Sequence, residues 1–330
     1  MKKLLFLGAF GCSTHVPIDV MEPAEVTVPS PVQRLALVDR SPSEHSFQAL
    51  YALREAVSGG PRFEVVSNEA SQRAFTTSGA VVGQPLNAEQ AGAICTETSA
   101  TGIVMLDSLR VDHDWIWSER EEERTEDQRI LKQDGNEENV QVVKTVTVQL
   151  ATLDITADSD WSLLGCDGEV IDAYSVNLSQ AWHGEGDSKA DARAATGRVK
   201  THQSELMGDV GRRYRSRISP WQSRISRRMF SGGNAHIRAG RRAAVSGDWE
   251  SAYRRWKIAA KKNNADSPRA WLNLAVHHEQ KGNLKVALKY AKRAALKMNK
   301  PWVHRYVSDL KTSIEKKKRL GQQLGPDNEE

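Results

Sequence analysis

Three groups of residues in this 330-residue chain have the types that could do chemistry, and their spacing argues against each. Asp107, Asp112, His113 and Asp114 offer the oxygen and nitrogen ligands that a divalent ion takes. On an extended segment, however, Asp112 and Asp114 share one face while His113 points to the other, so one ion cannot collect all three. No metal is expected. HGEG at residues 183 to 186 precedes a helical stretch and could offer free N–H groups to an anion, but a glycine turn is the commoner use of such residues. Cys95 has no histidine near it in sequence to activate it. There is no GxxxxGKS/T, no GxGxxG after a strand, no GxSxG and no HExxH. Neither a catalytic residue nor a cofactor is therefore expected. An enzyme reading survives only if Asp39, Arg40, Asp107 and His113 converge in a pocket.

The elements that must carry these residues begin after an amino-terminal segment, MKKLLFLGAFGCS, in which Lys2 and Lys3 precede the apolar run from Leu4 to Phe10. It resembles a bacterial lipoprotein signal, which implies cleavage before Cys12, lipidation of that cysteine, and an outer-membrane destination given Ser13 after it. Residues 1 to 12 are thus read as a signal peptide ending at Cys12, and residues 13 to 31, with Pro17, Pro23, Pro29 and Pro31, as a flexible tether. No later run approaches the roughly 20 apolar residues that a spanning helix requires. Cys95 and Cys166 are expected to be unpaired, with a bridge as the alternative that an oxidising periplasm allows.

Residues 32 to 230 have the grammar of an α/β domain with a mixed sheet and helices. RLALVD at residues 34 to 39 is a short apolar strand, residues 43 to 58 have helical spacing stopped by Gly59, Gly60 and Pro61, and RFEVVS alternates. Strand, helix, strand is the signature of an α/β layer. A helix follows at 87 to 97, then a central strand at 102 to 109. Alternating strands at 140 to 156 and 169 to 182 are joined by a turn at 161 to 168, and their alternation points to antiparallel pairing. Residues 118 to 139 hold nine acids and four bases and are expected to form a charged mobile insertion. Residues 187 to 218 are helical, and 221 to 230 form a last edge strand or an extended connection into the repeats.

From residue 234 to 320 the chain repeats itself. Gly247, Ala252 and Ala259 recur as Gly282, Ala287 and Ala294, displaced by 35 residues. That period predicts an all-α array of two tetratricopeptide (TPR) helical hairpins, closed by a capping helix from Pro301 to Arg319. Small residues belong where helices cross and large ones where the next helix packs. Gly240, Gly247, Ala252, Trp256 and Ala259 fit the first unit, and Trp271, Leu274, Ala275, Gly282, Ala287 and Ala294 the second. Residues 321 to 330 are read as a disordered tail.

Taken together, RLALVDRS, PRFEVVS, GDWESAYRRWKIAAKK and AWLNLAVHHEQKGNLKVALKYAKRA resemble a family of bacterial envelope lipoproteins of uncharacterised function, an α/β domain followed by a short TPR array. The order of elements in residues 32 to 230 also looks like the α/β domain of lipoproteins that assist curli export or peptidoglycan synthases. That likeness implies no catalytic residue.

Charge is divided along the chain. Residues 211 to 320 carry 29 Lys and Arg against 6 Asp and Glu, whereas the first 210 residues carry 17 bases and 33 acids. Such asymmetry points to an anionic partner, or to docking between the two halves of the chain. An envelope address makes nucleic acid the wrong partner. The expected function is a non-enzymatic TPR adaptor or scaffold on the periplasmic side of the outer membrane, attached to the membrane only through its lipid anchor. It would bind an acidic protein segment or an anionic envelope component. The expected groove is lined by Arg238, Arg242, Asn273 and His277, with Arg241, Arg254, Arg255, Lys257, Lys281 and Lys285 as further candidate cations. An envelope enzyme, or an export or assembly accessory using the α/β domain, is the alternative.

Overall fold

A computed structural model describes residues 13–41, 43–131, 137–262 and 264–325. Cys12 and the rest of the expected signal lie outside the described residues. The chain divides into two units, residues 25 to 219 and a second made of residues up to 24 together with 220 onward.

The first unit is built on a five-stranded mixed sheet in the order β3-β2-β4-β5-β6. β2 (Arg34–Asp39) lies parallel to β3 (Glu64–Val65) and to the start of β4 (Gly102–Leu131). β5 (Glu137–Gly165) and β6 (Val170–Gly186) follow antiparallel. β2 is buried on both faces, as parallel strands covered by helices are. On one face Leu37, Val104 and Leu106 pack with α1 (Ser46–Ser58) and α5 (Val199–Ile218), where Trp161 stacks on Tyr214 at 4.8 Å. On the other, Ala36, Val38, Ile103 and Met105 pack with α2 (Asn68–Thr77) and α3 (Ala88–Thr98). Asn87 and Gln90 form a capping box on α3.

Several expectations are corrected in this unit. Residues 118 to 131 and 137 to 139 are strand, not a mobile insertion: β4 and β5 stay paired out to Leu131↔Glu137. β6 stops at Gln149↔Gly186, so the hairpin beyond is a two-stranded ribbon about 40 Å long. Charge concealed it, because neither face of β4 there meets a core, while Val140, Val142, Val146 and Val148 carry the strand signal on β5. The turn after β5 spans residues 166 to 169, and Trp161 is a core residue of the strand. α2 was not foreseen. Gly184 and Gly186 end β6 against α4 (Lys189–Thr196), where an added Cβ would come within 2.3 Å of the Ala192 carbonyl and 2.7 Å of its amide, so HGEG serves close packing. Cys95 and Cys166 form a disulfide that pins α3 to the turn after β5.

The second unit pairs strands that lie some two hundred residues apart, one on each side of the α/β unit. β1 (Ser13–Glu22) runs antiparallel to β7 (Trp221–Phe230) in unbroken register from Ser13↔Phe230 to Glu22↔Trp221. The expected tether is therefore a strand over its first ten residues, and β7 belongs to this ribbon rather than to the edge of the α/β sheet. Five helices complete the unit: α6 (Ala235–Val245), α7 (Trp249–Lys261), α8 (Ser267–Gln280), α9 (Leu284–Ala295) and α10 (Pro301–Leu324), each packed on the next. α10 runs through residues 321 to 324, so the tail is helical that far.

Trp256, Ala252, Ala259, Ala275, Ala287 and Ala294 are fully buried, with Trp271 and Leu274 nearly so. Gly240 lies flat against the Trp256 indole, where a Cβ would come within 2.4 Å of the ring nitrogen. Gly247 and Gly282 differ from the expectation: an added Cβ would touch nothing, and what they supply is the positive φ, +86° and +72°, of the turns into α7 and α9.

Candidate functional site

The four residues expected to line a groove are not brought together. Arg238 and Arg242 are exposed on α6, Arg238 donating to the Gly233 carbonyl, whereas Asn273 and His277 are buried in α8 at 0% and 4% exposure. The face of α8 that would have floored the groove is covered by the β1–β7 ribbon. At one end of that ribbon the Asn273 side chain acts as a substitute strand. Its Oδ1 accepts from the Phe230 amide at 2.8 Å, and its Nδ2 donates to the Phe230 carbonyl at 2.9 Å. At the other end Gln323 of α10 does the same for Ala24, at 2.9 and 3.0 Å.

Between the two amide clamps lies a buried ionic centre. Arg227 of β7 donates to both oxygens of Glu279, at 2.8 and 3.0 Å, and to Asp309 of α10 at 3.2 Å. The Tyr306 hydroxyl donates to Glu279 at 2.8 Å. Burial and the Glu279 carboxylate hold that phenol well above its ordinary pKa. Lys316 closes the edge on Glu22 at 2.7 Å. These groups border a cleft of about 480 Å³ whose apolar wall is Val20, Met21, Ile225 and Leu284. Each carboxylate of the centre already has a cation, so the arrangement is built for holding the ribbon rather than for proton transfer.

His277 stacks on Tyr253 at 4.8 Å and meets His278 edge-on at 5.3 Å. Burial, reinforced by His278, lowers its pKa to about 4, so it is neutral at physiological pH. Further exposed cations lie on α7 and α9, the helices on either side of α8 in the chain. Arg254, Arg255 and Lys257 stand out on α7, beside the exposed Ile258. Lys285, Lys289 and Lys292 stand out on α9, beside the exposed Val286. Sequence spacing places these residues on helices, but it does not say that a distant strand takes the inner face and leaves them the outer one.

In the α/β unit, Asp39 ends β2, and Arg40, which follows it, reaches Asp107 where the pairing of β2 with β4 stops. β2 is flanked by β3 on one side and β4 on the other, and the intervening helices lie on opposite faces, so this is the topological switch point where open α/β sheets bind ligands. A register shift between Leu106 and Ser108 makes Asp107 a bulged residue. It accepts from Arg40 Nη1 at 2.6 Å and from the Ser162 hydroxyl at 2.6 Å. Arg40 is 6% exposed; it also donates to the Gln84 carbonyl, and among the described residues its Nε has no partner. Asp39 accepts from the Ser41 amide and the Ser46 hydroxyl, and burial raises its pKa. Beside Asp39 a cleft of about 520 Å³ opens, lined by Asp39, Ser41, Phe47, Asn68 and Gln72 and not by Arg40 or Asp107. His113 does not join them: it is exposed on β4, roughly 20 Å further along the strand. Asp112 pairs instead with Arg110 at 2.6 Å, and among the described residues no group of three or more metal-ligating side chains forms.

Comparison with known proteins adds families without assigned roles. Residues 238–312, within the helical stretch, match the family described as Domain of unknown function (DUF6340). No match is found among curated proteins. A second family covers more than half of the chain, from just before β2 to the end of β7. With residues 32–230 matched, the chain belongs to the family described as Domain of unknown function (DUF8603).

Proposed function

We propose that this protein is a non-enzymatic adaptor of the cell envelope, acylated at Cys12 and held on the periplasmic side of the outer membrane. Its helical unit, two tetratricopeptide-like hairpins and a closing helix, binds an acidic protein segment. The observation that carries this reading is the charge of that unit: residues 220 to 320 hold 25 bases against 6 acids, to which β1 adds only Asp19 and Glu22, and the exposed cations of α7 and α9 are interleaved with Ile258 and Val286. The period of 35 residues and the buried Trp256, Ala252, Ala259, Ala287 and Ala294 support the repeat assignment. The disulfide between Cys95 and Cys166 supports an oxidising compartment. Because the ribbon occupies the inner face of α8, the partner surface moves outward to Arg254, Lys257, Lys285 and Lys289. The test is binding of a polyglutamate peptide to the full chain at low and high salt, with charge reversal at those four residues. Affinity that falls with salt and with reversal supports the reading; affinity indifferent to both sinks it.

A second reading, an envelope enzyme or an export or assembly accessory working through the α/β unit, is favoured by one specific observation. The buried Arg40, with an unpartnered Nε, sits beside Asp39 and Asp107 at the switch point of the sheet. It predicts that a small anionic ligand protects the unit against thermal unfolding and that Arg40→Gln abolishes the protection.

A further inference from the structure

We propose that the helical unit lies directly on the bilayer that carries the anchor, through a patch of cations and aromatic rings at the amino-terminal end of β1 that binds anionic phospholipid headgroups. The proposal rests on the reading of Cys12 as the acylated residue. β1 begins at Ser13, one peptide bond beyond Cys12, and its first residue is already in register with Phe230. No slack separates the anchor from the fold, so whatever surrounds Phe230 is held at headgroup level.

What surrounds Phe230 suits that level. The Trp302 ring lies 5.1 Å from the Phe230 ring, and the Arg228 guanidinium covers Trp302 at 4.7 Å. Lys300 and Arg269 each approach the Phe230 ring at 5.9 Å. His15 stands opposite Arg228 on the outer side of the ribbon. Arg269 shares its charge with Asp266, but among the described residues neither Arg228 nor Lys300 is in an ion pair, and both are exposed. A half-exposed tryptophan flanked by free cations is the composition that proteins place at a membrane interface. Each Lys or Arg near an anionic surface strengthens binding about five-fold. An acidic peptide would need cations alone; the rings and the anchor beside them favour lipid.

The test uses the mature chain from residue 12 carrying Cys12→Ser, so that no acyl chain contributes, in co-sedimentation with vesicles. One set is phosphatidylcholine and the other has one lipid in three replaced by phosphatidylglycerol. The expected result is binding to the anionic vesicles only, weakened about thirty-fold by Arg228→Ala with Lys300→Ala. Removing the same charge on α10, about 24 Å along the helix, with Lys318→Ala and Arg319→Ala leaves it nearly unchanged. Should the first pair unfold, Lys300→Ala alone carries the test, with about a five-fold loss. Equal binding to both vesicles, equal weakening by both pairs, or a loss of polyglutamate binding but not of vesicle binding on Arg228→Ala with Lys300→Ala would overturn the proposal. Palmitate labelling of the full chain reports separately on Cys12. Absent label removes the anchor reading, and with it the proposal, whereas label without vesicle selectivity removes the patch alone.

Discussion

Asn273 and Phe230 exchange two hydrogen bonds through a single side-chain amide, so that a helix residue completes the end of a strand. This relationship turns an expected binding groove into an internal interface, and the properties of the helical unit follow from it.

Asn273→Ala leaves the buried Phe230 amide and carbonyl without partners, each worth about 1–3 kcal/mol. Asn273→Asp keeps the shape but cannot donate to the carbonyl. Urea unfolding followed by tryptophan fluorescence is expected to show both variants destabilised, with β1 more open to proteolysis.

Glu279 is 3% exposed and holds both Arg227 and Tyr306. Glu279→Ala leaves a buried guanidinium facing only Asp309, a loss of about 3–5 kcal/mol. The double change Glu279→Leu with Arg227→Met removes both charges and is expected to recover most of that loss in the same unfolding measurement.

His277 supplies a pH dependence with a definite sign. Its folded pKa of about 4 lies below the unfolded value of 6.5, so the unfolded chain takes up the proton first. Stability is full above about pH 6.5 and falls as pH drops toward 4, by about 2 kcal/mol at pH 5. His277→Phe is expected to flatten that window, and denaturant titrations at pH 7.5 and 5 measure it.

The disulfide closes a loop of 71 residues between α3 and the turn after β5. Chain entropy gives it about 4 kcal/mol at most. Reduction, or Cys95→Ser with Cys166→Ser, is expected to lower the melting temperature of the α/β unit while leaving that of the helical unit unchanged. Calorimetry with and without reductant reads both transitions.

The parts of this fold legible in sequence are those whose partners are near in the chain or whose pattern is complete in itself. RLALVD is a strand because apolar residues on both faces need cover on both faces, and small residues beside Trp256 mark a helix crossing wherever they occur. β1 hid behind Pro17 and Pro23, although Val16, Ile18 and Val20 alternate. Its outward Pro17 is tolerated because this is a two-stranded ribbon with no central strand to interrupt. The site residues failed for a related reason. The pattern of α8 shows that Asn273 and His277 share a surface, but Asn273 is covered by a ribbon made of residues 13 to 22 and 221 to 230, to which no local signal ties it, and His277 by Tyr253 of α7. Of Asp39, Arg40, Asp107 and His113, the structure joins Arg40 to Asp107, whereas Asp39 is held by Ser41 and Ser46 and His113 lies too far along β4.

The pairing of β1 with β7 also sets an order of events during synthesis. β1 emerges before the α/β unit, and its partner follows some two hundred residues later, after the whole of that unit. That unit can close on itself first, as domains do when they are made. Until β7 and the helices arrive, Val16, Ile18 and Val20 form an unmated sticky edge, so the nascent chain is most vulnerable to wrong association at this strand while the α/β unit is being made.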